Sequence, residues 1–118
     1  MGFTLNHVHL KTTDPEATAR FYIENFGATI KARPPGRGVT LDMHGLQLNV
    51  TTINKEQNHQ QNLGIEHIAV NTTDIDGTLT KLRANGVTVL EEMVGGSGNR
   101  VAFLQCPDGA QMEIIEKK

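Results

Sequence analysis

The sequence predicts an α+β fold of two pseudo-symmetric halves, each read as strand–helix–strand–strand–strand. Three observations predict it. A strand-like stretch occurs twice, Leu5–Asp14 (LNHVHLKTTD) and Ile65–Asp74 (IEHIAVNTTD), offset by 67 − 7 = 60 residues, so that His7 lies over His67. Each copy runs into a helix-like segment with one apolar stripe and a glycine stop, and each helix is followed by three short strand patterns. Each half has under about 60 residues, too few to bury sufficient apolar surface alone, so the 118-residue chain is expected to form one domain with a shared core. Its modules are residues 1–53 and 64–118, joined by a polar linker at 54–63 that lacks periodicity.

In the first half, Val8 and Leu10 alternate with His7, His9 and Lys11, the period of a strand with one covered face. Thr13 or Asp14 can cap the helix that follows, Pro15 suits its first turn, and Glu16 completes a T-x-x-E capping box with Thr13. Ala19, Tyr22, Ile23 and Phe26 form the stripe of a helix from Pro15 to Phe26, and Gly27 ends it. Ala28–Arg33, Val39–Met43 and Leu46–Thr52 read as strands, the last two around a turn at His44-Gly45. The second half repeats this order. A strand at Ile65–Thr72 leads to a helix from Ile75 to Asn85 with Ile75, Leu79 and Leu82 inward. Strands near Val87–Glu91, Arg100–Gln105 and Gln111–Glu116 follow.

Composition narrows the function classes. A net charge of −2 with scattered basic residues leaves no footprint for nucleic acid. No apolar run approaches the ~18 residues of a membrane span, and the N-terminus lacks a signal-peptide core. Asn6 stands where a myristoylation signal wants Ser or Thr. Cys106 is the single cysteine, so no internal disulfide can form, and a cytoplasmic protein is the natural expectation.

Strand parity then picks out candidate ligands. Matching Leu46-Gln47-Leu48 to Met112-Glu113-Ile114 places Val8/Leu10, Ile68/Val70, Leu46/Leu48 and Met112/Ile114 toward the helices. His7, His67, Gln47 and Glu113 fall on the opposite face at equivalent positions. Two imidazoles, a carboxylate and an amide oxygen suit a divalent first-row metal. Gln47 is open between a direct ligand, a hydrogen-bond partner of one, and a lining residue. His9 has no counterpart, since its repeat partner is Ala69. At roughly 7 Å from His7 along the strand it is too far to share a metal, but well placed to touch substrate or move a proton. Its ordinary alternative is a lining histidine. Asn49 and Arg100 are candidate substrate contacts, Arg100 for an anionic group, with a solvated strand-end charge as the plainer reading.

The motifs NHVHLKTTDPEATARFY, EHIAVNTTDIDGTLTKL and FLQCPDGAQMEIIE resemble the vicinal-oxygen-chelate superfamily, which includes glyoxalase I, methylmalonyl-CoA epimerase, extradiol dioxygenases and the fosfomycin and bleomycin resistance proteins. The resemblance covers essentially the whole chain. It implies paired βαβββ modules in a curved mixed sheet, a cup with the helices on its outer face, and usually a homodimer that can exchange modules. It also implies metal-ligand positions at His7, His67 and Glu113, with Gln47 at the fourth, where glyoxalases usually carry Glu and some epimerases Gln. The epimerases' glutamate acid/base on the Val39–Met43 strand has no match here: Leu41 aligns, and Asp42 has the opposite parity. Relative to the fosfomycin enzymes, a threonine is replaced by His9, and a lysine and tyrosine by Met93 and Phe103.

Three functions follow. The first is a metal-dependent lyase or isomerase in which a metal (Zn, Ni, Co, Mn or Fe) polarises a small carbonyl or thioester substrate through enediolate chemistry, with Glu113 or His9 moving the proton. The second is an Fe(II) dioxygenase with a 2-His-1-carboxylate triad. The third is a drug- or metabolite-binding resistance protein without catalysis. The intact His/His/Glu set favours an enzyme, and a fourth protein ligand favours the first function. Specificity is expected in the loops around Pro34–Gly38 and Gly95–Asn99.

Overall fold

A computed structural model describes residues 2–118. The chain forms two compact units. The first runs from His7 to Glu66; the second runs from His67 to Lys118 and includes residues 2–6. The division falls at His67, so residues 54–63 belong with the first unit. There Asn54 N donates to Gln61 Oε1 (2.9 Å) and Gln61 Nε2 returns a bond to Asn54 O (2.8 Å), tying the polar segment into a closed loop.

The first unit contains β1 (Thr4–Lys11, its first three residues counted with the second unit), α1 (Pro15–Phe26), β2 (Thr29–Ala32), β3 (Val39–Met43) and β4 (Leu46–Thr51). Its strands are ordered β2-β3-β4-β1, antiparallel except for the parallel β4–β1 pair. One helix covers one face: Ala19, Tyr22 and Ile23 share a core with Leu10, Leu41, Leu48 and Val50. Phe26, expected on that stripe, is instead 57% exposed, its ring tilted against those of Phe21 and Tyr22.

The second unit repeats the plan with β5 (Gly64–Thr72), α2 (Ile75–Ala84), β6 (Val89–Val94), β7 (Arg100–Gln105) and β8 (Gln111–Glu116). The order is β5-β8-β7-β6, again with one parallel pair, β5–β8. Ile75 and Leu79 pack onto Ala102, Leu104 and Ile114. The α+β class expected from the sequence is the class observed. Strand β6 starts two residues later than expected because Val87 N bonds Leu82 O (3.0 Å), closing the end of α2. Ile68, expected under the helix, remains 43% exposed.

The repeated Thr-Thr-Asp is the helix entry. Asp14 and Asp74 are the N-caps, accepting from Ala17 N (3.1 Å) and Gly77 N (3.0 Å) with matching extended backbones. Thr12 meets Thr18 and Thr72 meets Thr78 through their hydroxyls, at 2.7 and 2.9 Å. The expected Thr13–Glu16 capping box does not form. Glu16 is drawn to the Arg33 guanidinium (3.1 Å), leaving Asp14 as the cap.

Candidate metal centre

In the first unit the donor side chains stand on the face of β1 and β4 away from α1. His7 is buried, and its Nε2 lies 3.3 Å from His9 Nδ1, the rings edge to face with centroids 5.4 Å apart. Side chains two apart on a strand are therefore brought together by leaning toward one another, against the expectation that His9 lay too far from His7. The other nitrogen of His9, Nε2, is 2.7 Å from Thr51 Oγ1. On β4, Gln47 Nε2 donates to Asn49 Oδ1 (3.0 Å), while Gln47 Oε1 accepts from Lys31 Nζ (2.8 Å).

In the second unit His67 is 3% exposed, and its Nε2 lies 3.3 Å from Glu113 Oε1. Phe103, fully buried on β7 where it pairs with Glu113 of β8, meets the His67 ring edge to face at 5.4 Å. Ala69, Val101, Phe103 and Ile115 make an apolar floor on this face. A dry floor strengthens electrostatic interactions above it.

The strand ladders correct the repeat alignment at the far strands. In the first unit Val8 pairs with Leu48 and His9 with Asn49. In the second, Ile68 pairs with Met112 and Ala69 with Glu113. Since His9 and Ala69 are repeat equivalents, the counterpart of Glu113 is Asn49. Gln47 corresponds to Gln111. The sequence carries this match without a gap, since 109 − 45, 111 − 47 and 113 − 49 all equal 64: Gly45-Leu46-Gln47-Leu48-Asn49 over Gly109-Ala110-Gln111-Met112-Glu113. The preceding turns agree as well, His44 and Asp108 both having positive φ (53° and 62°) before a positive-φ glycine. Matching the apolar-polar-apolar triplet alone slipped the alignment by two residues, which parity cannot detect because it preserves the face.

Arg100 is placed elsewhere. It shares its face of β7 with Ala102 and Leu104, which pack under α2, and its guanidinium forks onto Asp76 at 2.7 and 3.0 Å. That hydrogen bonding holds the Asp76 carboxyl below the usual carboxylate range. Arg100 thus lies on the opposite face of its unit from His67 and Glu113. On β3, Leu41 is buried in the helix-side core, and Asp42 accepts from Gly45 N (2.7 Å) to close the hairpin turn. Thr40 is the β3 residue paired with Asn49. Gly95–Asn99 closes into a hairpin through Gly95 N to Asn99 O (2.8 Å). Thr51 and Phe103, both part of the donor surroundings, went unassigned from sequence because a strand threonine and phenylalanine carry no signal of their own.

The donors suit a metal chemically. Ligand atoms about 2.0–2.2 Å from a tetrahedral cation are separated from each other by roughly 3.3–3.5 Å, and the His67–Glu113 donor atoms are 3.3 Å apart. Imidazole nitrogen with carboxylate oxygen is a set for Zn, Ni, Co, Mn or Fe.

Residues 4–114 match the family model described as the glyoxalase/bleomycin resistance protein/dioxygenase superfamily. The chain belongs to this superfamily. Among curated relatives of this superfamily member, a lactoylglutathione lyase of Haemophilus influenzae is 28% identical over 95% of the chain and 91% of its own length. Glyoxalase I of Saccharomyces cerevisiae is 24% identical over 94% of the chain, but the chain spans only 44% of that larger protein. Among solved structures, methylmalonyl-CoA epimerase from Mycobacterium tuberculosis superposes with a TM-score of 0.71 at 20% identity, covering 97% of this chain and 87% of the other, which is a likeness of fold. No helix among the described residues is long and apolar enough to cross a membrane.

Proposed function

We propose that the chain is a metal-dependent lyase or isomerase of the glyoxalase type, acting on a small carbonyl or thioester substrate. The observation that carries this reading is the His67–Glu113 pair, two donor atoms 3.3 Å apart on strands that repeat the His7 and Asn49 strands. The lactoylglutathione lyase relative supports the same class. The ligands in this proposal are His7, Asn49, His67 and Glu113. Asn49 replaces Gln47 at the fourth corner because the ladders pair it as Glu113's counterpart, and because Gln47 Oε1 is held by Lys31. When bound, the metal supplies Lewis-acid polarisation of the substrate carbonyl, which acidifies the neighbouring C–H.

Glu113 is the proton carrier. It is the sole carboxylate of the proposed ligand set, and one of its oxygens can accept a proton while the other stays beside His67. A single carboxylate takes a proton from one face of a carbon and returns it on that face. Epimerisation needs delivery to the opposite face, and β3 offers Thr40 beside Asn49, with Leu41 buried and Asp42 bound in its turn. The chain's own residues therefore favour a one-base isomerisation. Phe103 and Ala69 keep water from the floor of His67 and Glu113.

The test uses the metal-loaded chain with 2-oxoaldehyde–thiol adducts, 2-methylacyl-CoA thioesters and catechols as substrates. Glu113→Gln keeps an oxygen donor but cannot carry the proton. It is expected to lower turnover of the accepted adduct by about 10²–10⁴-fold. Wild-type turnover in that variant, or oxygen-dependent catechol cleavage as the main activity, would contradict the proposal.

A further inference from the structure

We infer that His9 is itself a metal ligand, so that β1 contributes two imidazoles through a His-x-His pair, with Thr51 orienting the second ring. This rests on the proposed metal site and adds to it a residue that neither the repeat nor the family match supplies. Three observations carry it. First, the separation of His7 Nε2 and His9 Nδ1 is 3.3 Å, close enough for both to bind one ion at about 2.0–2.2 Å. It equals the His67–Glu113 donor separation in the other unit.

Second, the proton inventory at Thr51 selects the tautomer. A hydroxyl carries one proton, and Thr51 Oγ1 donates it to Thr52 O (3.1 Å). With the hydroxyl proton on that side, the Oγ1 lone pair faces His9 Nε2 at 2.7 Å and takes its N–H. With the proton on Nε2, the neutral ring presents the lone pair of Nδ1 toward His7 Nε2. A ligating histidine that gives its remaining N–H to an oxygen acceptor is fixed in rotation and tautomer by that bond. Third, both nitrogens of His9 are thereby committed, one to Thr51 and one beside His7. This leaves His9 poorly arranged as the proton carrier and well arranged as a ligand. The same two nitrogens could instead share a proton, and the experiment separates these arrangements.

The full-length chain is loaded with Zn(II) alone. X-ray absorption counts imidazoles on the ion, and competition with a chelator of known affinity gives the dissociation constant. Three imidazoles (His7, His9 and His67) are expected in the wild type and two in His9→Ala, with affinity lower by about 10-fold or more. Thr51→Val is expected to weaken binding by roughly 10-fold while keeping three imidazoles, the mark of a positioning residue. Alanine is what the second unit carries at this position, as Ala69, so folding of His9→Ala is expected, and the wild-type imidazole count tests the inference without any variant. Stoichiometric zinc with two imidazoles in wild type, or an unchanged affinity in His9→Ala, overturns the role of His9 and leaves the four-ligand site standing. A wild-type chain that takes up no zinc overturns both.

Discussion

Asn49 and Gln47 sit on one face of one strand, hydrogen-bonded to each other, yet they are assigned different work. In the proposed site, a neutral amide at the fourth corner would leave Glu113 as the single anionic ligand, so that a divalent ion would keep one net positive charge. That residual charge favours an oxygen that gains negative charge during reaction. Asn49→Ala is expected to weaken zinc binding by about tenfold or more, and by more than Gln47→Ala. Asn49→Asp, which adds a second carboxylate, is expected to tighten it. Chelator competition reads all three; equal losses for Asn49→Ala and Gln47→Ala would remove Asn49 from the site. His7 and His67 were legible as candidates because the repeat carries them, and Glu113 because the superfamily resemblance implies a ligand there. Asn49 as Glu113's counterpart was hidden by a two-residue slip within one strand face, although the Gly-x-Gln frame of both β4 and β8 could have revealed it. The leaning of His9 toward His7 depends on side-chain rotation, which strand spacing does not convey.

Helices and turns were the most readable elements, because their ends are set by local chemistry. Asp14 and Asp74 each satisfy a first-turn amide, so replacing either with alanine should cost about 1 kcal/mol in denaturant unfolding. Thr13→Ala, which the capping-box reading would have made comparable, should stay within about 0.5 kcal/mol. A Thr13→Ala loss equal to Asp14→Ala would restore the box. Gly38 is a second local constraint: it has φ +79°, and a Cβ there would collide with the Val50 carbonyl oxygen in the backbone of β4. Gly38→Ala should therefore destabilise by about 1–3 kcal/mol. What the local pattern missed had tertiary causes. Phe26 fits the helical period but finds Phe21 and Tyr22 rather than the core, and β6 yields its first residues to the closing of α2.

Over the whole molecule, the duplication accounts for the fold and for the candidate chemistry together. Each unit carries one helix over four strands, among them a histidine strand paired in parallel with a donor strand. An ion that binds only the folded chain should stabilise it. At a free zinc concentration 100 times the dissociation constant the gain is about 2.7 kcal/mol, read as a rise in melting temperature that a chelator reverses. The homodimer expected from the superfamily resemblance predicts a sedimentation mass twice the 12.9 kDa of the chain. The proposal that the His67–Glu113 pair helps to hold a metal is tested by the zinc content of loaded and desalted protein. One equivalent per chain is expected in the wild type, with loss of that equivalent in His67→Ala. A wild type without bound zinc, or a His67→Ala variant that retains it in full, would overturn the proposed metal site.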